Sequence, residues 1–142
     1  MQIEEAIRHR IEPFIHNSEK NMGDLLGIKF LTLSREEMKA TMPVNQNTVQ
    51  PMRILHGGAS VALAETLASI GAYLNLEDEN KTAVGLEINA NHIRSVSEGS
   101  KVIGTSKPLH RGRQTQVWET RITTEEEKLV CVSRCTLAII SV

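Results

Sequence analysis

The chain has 142 residues, enough for one domain with a real core. Its 16 Lys and Arg balance 17 Asp and Glu, and only 3% of residues are aromatic. That composition excludes a strongly basic nucleic-acid binder, and it leaves too few rings for a stacking platform. No apolar run reaches the length of a membrane helix, and residues 1–17 carry charges throughout with no signal-peptide core, so a cytoplasmic protein is expected.

In chain order, Gln2 to Ile15 reads as a helix weakened near its end by Pro13, and Asn17 to Leu26 adds a short helical turn. Residues 1–21 form an N-terminal helical segment. Ile28 to Leu33 and Met38 to Val44 read as strands around the polar turn Ser34 to Glu37. A loop containing Pro51 follows. Gly57 to Asn75 is a long helix, rich in Ala and Leu, without proline, opening on two glycines. At 1.5 Å per residue it would be about 28 Å long and would cross most of the domain. After the charged connection 77–81 come four strands: Ala83 to Ile93, Ser100 to Leu109, Thr115 to Thr123 and Lys128 to Ile140. Hairpin-like links among these four predict an antiparallel sheet, hence an α+β fold in one domain spanning 1–142.

The long helix carries the most informative pattern. Leu55-His56-Gly57-Gly58 is followed nine residues after the histidine by Glu65, inside the apolar run Ala59 to Leu74. An ionised carboxylate there requires a reason, because burying it without a partner is costly. On a helical wheel Leu63, Leu67, Ile70 and Leu74 cluster about 140–200° from Glu65 and form the expected core face. Small residues (Gly58, Val61, Ala62, Ala68, Ser69, Ala72) surround Glu65 and suggest close approach by a ligand, another helix or a subunit. Catalysis and an ordinary exposed glutamate are the two readings of the helix taken alone.

Cys131 and Cys135 lie on one strand with their Cα atoms about 13 Å apart, too far for a disulfide. They read as packed core thiols, and the five histidines show no zinc spacing with them, so no metal is expected. His92 and Arg94 share one strand face, and Arg111-Gly112-Arg113 is a basic turn.

Three blocks resemble the hotdog-fold acyl-CoA thioesterases of the phenylacetate-type group, particularly the bacterial aryl-CoA hydrolases such as those acting on 1,4-dihydroxy-2-naphthoyl-CoA. They are residues 50–75 with the His-Gly-Gly and Glu65, Val84 to His92, and Lys107 to Trp118. The resemblance spans roughly Met22 to Ile140. It implies an antiparallel sheet wrapped around the long helix, homodimers that pair into homotetramers, and active sites at the dimer interface. The implied reaction splits an acyl-CoA thioester into acid and coenzyme A, with coenzyme A as part of the substrate and no cofactor. A dihydroxynaphthoyl substrate would point to menaquinone synthesis.

The same resemblance implies the site. Glu65 attacks the thioester carbonyl or activates a water. The Gly57 N–H is the oxyanion donor at a helix start, where the dipole also favours an anion. Ser69, one turn after Glu65, holds the water or orients the carboxylate; a serine bonded to its own helix backbone is the plainer alternative. Gln50 and His56 position the thioester, and Gly58 serves packing or turn geometry. His92, Arg94, Arg111, Gly112 and Arg113 are expected to contact the nucleotide part of coenzyme A. For Arg111 and Arg113 an ordinary solvated turn is equally open. A hotdog dehydratase is the second enzyme reading, disfavoured because its proline-rich segment after the histidine is absent. A non-catalytic acyl-CoA-binding hotdog module is the third.

Overall fold

A computed structural model describes residues 1–15 and 19–142. Among the described residues seven strands and three helices follow one another as β1 (Gln2–Ile3), a 3-10 turn (Glu5–Ile7), α1 (Arg8–Ile15), α2 (Met22–Leu26), β2 (Lys29–Leu33), β3 (Met38–Pro43), α3 (Gly57–Leu74), β4 (Lys81–His92), β5 (Lys101–Arg111), β6 (Thr115–Thr123) and β7 (Leu129–Ser141).

Seven strands form one sheet in the order β1-β2-β3-β5-β6-β7-β4. All pairs are antiparallel except β1 with β2. The sheet curves around α3, which touches β3, β4, β5, β6 and β7. Inward-facing Met38, Met42, Val102, Trp118, Ile122 and Leu137 meet Leu63, Leu67 and Leu74 of the helix, and all are essentially inaccessible to water. This is the α+β architecture expected from the element pattern.

Three expectations are corrected. The segment Gln2 to Ile15 is not one helix. Gln2 and Ile3 pair in parallel with Thr32 and Leu33, and helix proper starts at Arg8, because the backbone groups of the first residues find partners on the β2 edge. The turn expected over Asn17 to Leu26 forms only at Met22–Leu26, where Asn21 and Asp24 make a reciprocal capping box; residues 17 and 18 lie outside the described residues. The last four strands are not a run of hairpins. β5, β6 and β7 form a meander, but β4 crosses over to pair with β7 and leaves β5 to β3.

The wheel around α3 also changes. Leu63, Leu67 and Leu74 are buried as expected, but so are Ala64, Ala68 and Ala72, while Ile70 is half-buried. Five strands wrap the helix, so its buried arc is wider than the leucine stripe. The small residues let the sheet approach closely. A narrower strip stays partly open: Gly58, Ala62, Glu65, Thr66, Ser69 and Tyr73.

Candidate active site

The loop between β3 and α3 is tied down before it delivers the helix. The buried Thr48 hydroxyl donates to the Pro43 carbonyl at 2.8 Å and accepts from the Asn45 N–H at 2.9 Å. The Thr48 carbonyl then accepts the His56 N–H at 2.8 Å. Arg53, in the left-handed region at φ 61°, forks onto the Glu98 carboxylate and fastens the loop to the β4–β5 connection.

Four N–H groups at a helix start have no partner within the helix. In α3 three of them are satisfied. The Gly58 N–H donates to His56 Nδ1 at 2.8 Å, and Ala59 and Ser60 donate to the His56 carbonyl at 3.0 and 3.3 Å. The Gly57 N–H has no partner among the described residues. His56 is therefore the cap of the helix. Because its Nδ1 accepts, the ring carries its proton on Nε2, which remains a donor at the exposed side. Gly58 has a packing reason: a Cβ there would lie 3.0 Å from the His56 ring.

His92 lies over the same helix start. A Cβ on Gly57 would come within 2.8 Å of His92 Nε2. Gln50, Gly57, Ser60, His92 and Arg94 line one cavity of about 330 Å³, backed by Ile54, Leu55, Ile93 and Val130. The Gly57 amide is part of the same lining. The Gln50 side-chain oxygen accepts the Met52 N–H. That leaves the Gln50 amide N–H₂ to act as donor.

Glu65 sits eight residues further along α3, about 12 Å down the axis. It does not line that cavity. It is half-buried and has neither a hydrogen bond nor an ion pair among the described residues. Its carboxylate lies against β4, where Gly85 leaves room for it. Behind it stands the buried Cys135 thiol. Burial first, and then the charges of Glu65 and Glu87, push that thiol up to about 11, so it stays protonated and inert. Ser69 is half-buried, one turn beyond Glu65 on the open strip, and among the described residues its hydroxyl has no backbone bond.

The basic turn lies elsewhere, at the far end of α3. Arg111 donates to the Asn75 side-chain oxygen at 2.9 Å, to the Arg35 carbonyl at 3.2 Å and to the Glu36 carboxylate at 2.8 Å. The Gly112 N–H is spent on the Thr115 carbonyl. Arg113 is exposed without a partner among the described residues. These three residues border a second cavity of about 460 Å³ with Arg35, Asp78 and Lys81. Thus Gln50, Gly57, His92 and Arg94 come together, with His56 at their edge, whereas Arg111, Gly112 and Arg113 do not join them. No cluster of metal-ligating side chains occurs among the described residues, and no helix there is long and apolar enough to cross a membrane.

Sequence reasoning did not single out Ser60 or Gly85, while Cys135 is the packed core thiol it was read as. A glycine inside a strand marks a bulge or a close approach, and that signal was available at Gly85.

Residues 52–131 match the family model described as the thioesterase superfamily. The chain belongs to the thioesterase superfamily. It has the hotdog fold and is a thioester hydrolase. It is 51% identical over 122 residues to the 1,4-dihydroxy-2-naphthoyl-CoA hydrolase of Escherichia coli, covering 86% of this chain and 88% of that one. It is 45% identical over 130 residues to the proofreading thioesterase EntH of Cronobacter sakazakii, covering 92% and 93%. A crystal structure of a thioesterase from Haemophilus influenzae superimposes with a TM-score of 0.82 at 47% identity, covering 94% of this thioesterase and 90% of that chain.

Proposed function

We propose that this thioesterase hydrolyses an aromatic acyl-CoA, with 1,4-dihydroxy-2-naphthoyl-CoA the first candidate, at a site built between two copies of the chain. The observation that carries the reading is a pair of unsatisfied groups on α3. Among the described residues one first-turn amide, at Gly57, has no acceptor, and one half-buried carboxylate, Glu65, has no donor. A thioester carbonyl uses both. Its oxygen gains negative charge as the tetrahedral centre forms, and the Gly57 N–H with the helix dipole is placed to receive it. Glu65 either attacks the carbonyl carbon or takes a proton from the attacking water. The hydroxyl ends on the acyl group, and the proton ends on the sulfur of the departing coenzyme A.

Gln50 and His56 supply donors beside the oxyanion amide, and Ser69 holds the attacking water or orients Glu65. His92 and Arg94 border the cavity that leads away from Gly57, a suitable path for the coenzyme A arm and its phosphates. The bonds made by Arg111 and Gly112 favour a fastening role for them, while Arg113 keeps an unengaged guanidinium. The similarity to the Escherichia coli hydrolase supports the aromatic acyl group and, through it, a place in menaquinone synthesis.

Two features support the two-copy site. Gly57 and Glu65 of one chain are about 12 Å apart along the helix, more than a bound carbonyl bridges comfortably. And β4, twelve residues long, is a sheet edge with Val84 and Leu86 exposed at 40% and 63%. Such an edge is a template for pairing. Antiparallel pairing of β4 with its copy would run the sheet on, cover the open strip of α3, and bring the Gly57 end of one helix toward Glu65 of the other. Pairing of such dimers into tetramers is part of the same proposal.

The test is thiol release from a panel of 1,4-dihydroxy-2-naphthoyl-, benzoyl-, phenylacetyl- and octanoyl-CoA. Fast release from an aromatic member is expected, reduced by about 10²–10⁴ in Glu65→Ala with fold and assembly unchanged. Near-normal turnover by the variant would remove Glu65 from the reaction.

A further inference from the structure

We propose that Gly85 is a positioning residue for Glu65: by having no side chain it leaves a seat on β4 that fixes the direction of the carboxylate. The inference rests on the role given to Glu65 above. A Cβ built on Gly85 would stand 2.4 Å from Glu65 Oε1 and 3.6 Å from the carboxyl carbon. Among the described residues nothing else lies within 4 Å of that point beyond the adjacent chain. The space where a side chain would be is occupied by the carboxylate alone.

The glycine is not there for its backbone. The glycines in the left-handed region are Gly27 and Gly99, and Gly85 is not among them. Nor does it serve the core. Gly71 and Gly104 are buried, and Cβ atoms there would strike Trp118 or Leu67 and Leu63. Gly85 is exposed and admits a polar group.

The local strand geometry is shaped for this contact. β4 and β7 shift register between Gly85 and Glu87. Gly85 pairs with Leu137, and Ile88 pairs with Cys135. Residues three apart on β4 thus face residues two apart on β7, with Leu86 as the extra residue of a bulge. Leu137 and Cys135 both face the core, so Gly85 and Ile88 both face α3. Without the bulge, a strand of period two would turn one of them outward. Seated there, the carboxylate loses the freedom of a glutamate on an open helix face, and a reacting group must be held within about 0.5 Å of its working position.

An alanine at 85 meets only the far end of a flexible side chain, so the strand can stay in place and Glu65 must move. With the fastest substrate of the panel, Gly85→Ala is expected to lower kcat at least tenfold and to leave KM within twofold, with circular dichroism and oligomeric state unchanged. Glu65→Asp removes the colliding atoms. The double variant Gly85→Ala with Glu65→Asp should therefore match Glu65→Asp alone within threefold, and it carries the test should the single variant misfold. A kcat for Gly85→Ala within threefold of the wild type would overturn the inference alone. So would a double variant whose losses multiply. A wild-type protein inert on the whole panel would overturn the role of Glu65 and this inference with it.

Discussion

The two ends of α3 are built on opposite plans. At its C-terminal end the Asn75 side chain and Arg111 are fully engaged. Asn75 donates to the Gly71 carbonyl at 2.9 Å and to the Arg35 carbonyl at 3.1 Å, and Arg111 ties Asn75, Arg35 and Glu36 together. At the N-terminal end one group is left over: His56 caps the helix but consumes the Gly58 amide, and the Gly57 N–H has no partner among the described residues, with the His92 ring beside the Gly57 Cα. An engaged end holds the helix in the sheet. An unengaged donor at a dipole's positive end is costly unless something binds there. Charge alone therefore does not separate the two ends, because Arg111 at the arginine-rich end is already engaged by Asn75, Arg35 and Glu36.

The most severe test of this contrast deletes the open amide without disturbing the helix. Proline suits the first position of a helix, and His56, at φ −71° and ψ 131°, already has the extended conformation that a following proline requires. His92→Ala first clears the space a ring would need. In that background Gly57→Pro is expected to lower kcat by about 10²–10³ with melting temperature nearly unchanged, which is the usual cost of one oxyanion donor. Unchanged kcat in steady-state assays would mean that the open amide is idle.

Next in size, His92→Ala with Arg94→Ala should raise KM for full coenzyme A thioesters about tenfold while sparing the matching pantetheine thioesters. Equal damage to both substrates would tie the pair to the thioester end, which the place of His92 over Gly57 makes a sharp distinction.

At the other end, Arg111→Ala should act on stability rather than turnover. Its bonds are partly exposed and the Glu36 pair is screened by solvent, so about 1 kcal/mol is expected in urea unfolding. Its kcat/KM should stay within threefold. A large rise in KM with unchanged stability would return Arg111 to the nucleotide and break the contrast.

The last test concerns the thiol behind Glu65. Its ordinary value of 9.0 is raised in the fold to about 11. The unfolded chain gives up that proton first, so folded stability should be full below about pH 9 and decline as pH rises toward 11. Cys135→Val should flatten that decline. An identical alkaline unfolding profile in the two proteins would show that the thiol does not titrate across this window.

Much of the fold was legible because its signals are local. α3 ends within one residue of its expected limit, since a proline-free Ala and Leu run between Gly57 and Asn75 needs no distant information. The strand Thr115–Thr123 is found at its expected bounds for the same reason. β1 was not legible: two residues become a strand only because the β2 edge accepts them. The crossover of β4 to β7 escaped as well, because hairpin-like spacing cannot show which edge a strand joins. In the site, the free Gly57 amide follows from the His-Gly-Gly order once His56 is seen to cap Gly58. The gathering of Gln50, His92 and Arg94 around it depends on three separate segments meeting.

The sequence by itself determined the elements after residue 21, the family-level pattern and the presence of a carboxylate inside an apolar helix, because periodicity, capping and composition act over a few residues. Tertiary structure alone decided which polar groups are spent and which stay open. Arg111 could be read from sequence as a free cation, and Gly85 as filler in a strand. Only the meeting of β5 with the end of α3 and the β2–β3 turn gives Arg111 its three acceptors, and only the bulged approach of β4 turns the missing side chain of Gly85 into a seat for Glu65. Hydrogen bonds and steric contacts are made between segments far apart in the chain, and their completion or absence exists only once the sheet has closed around the helix.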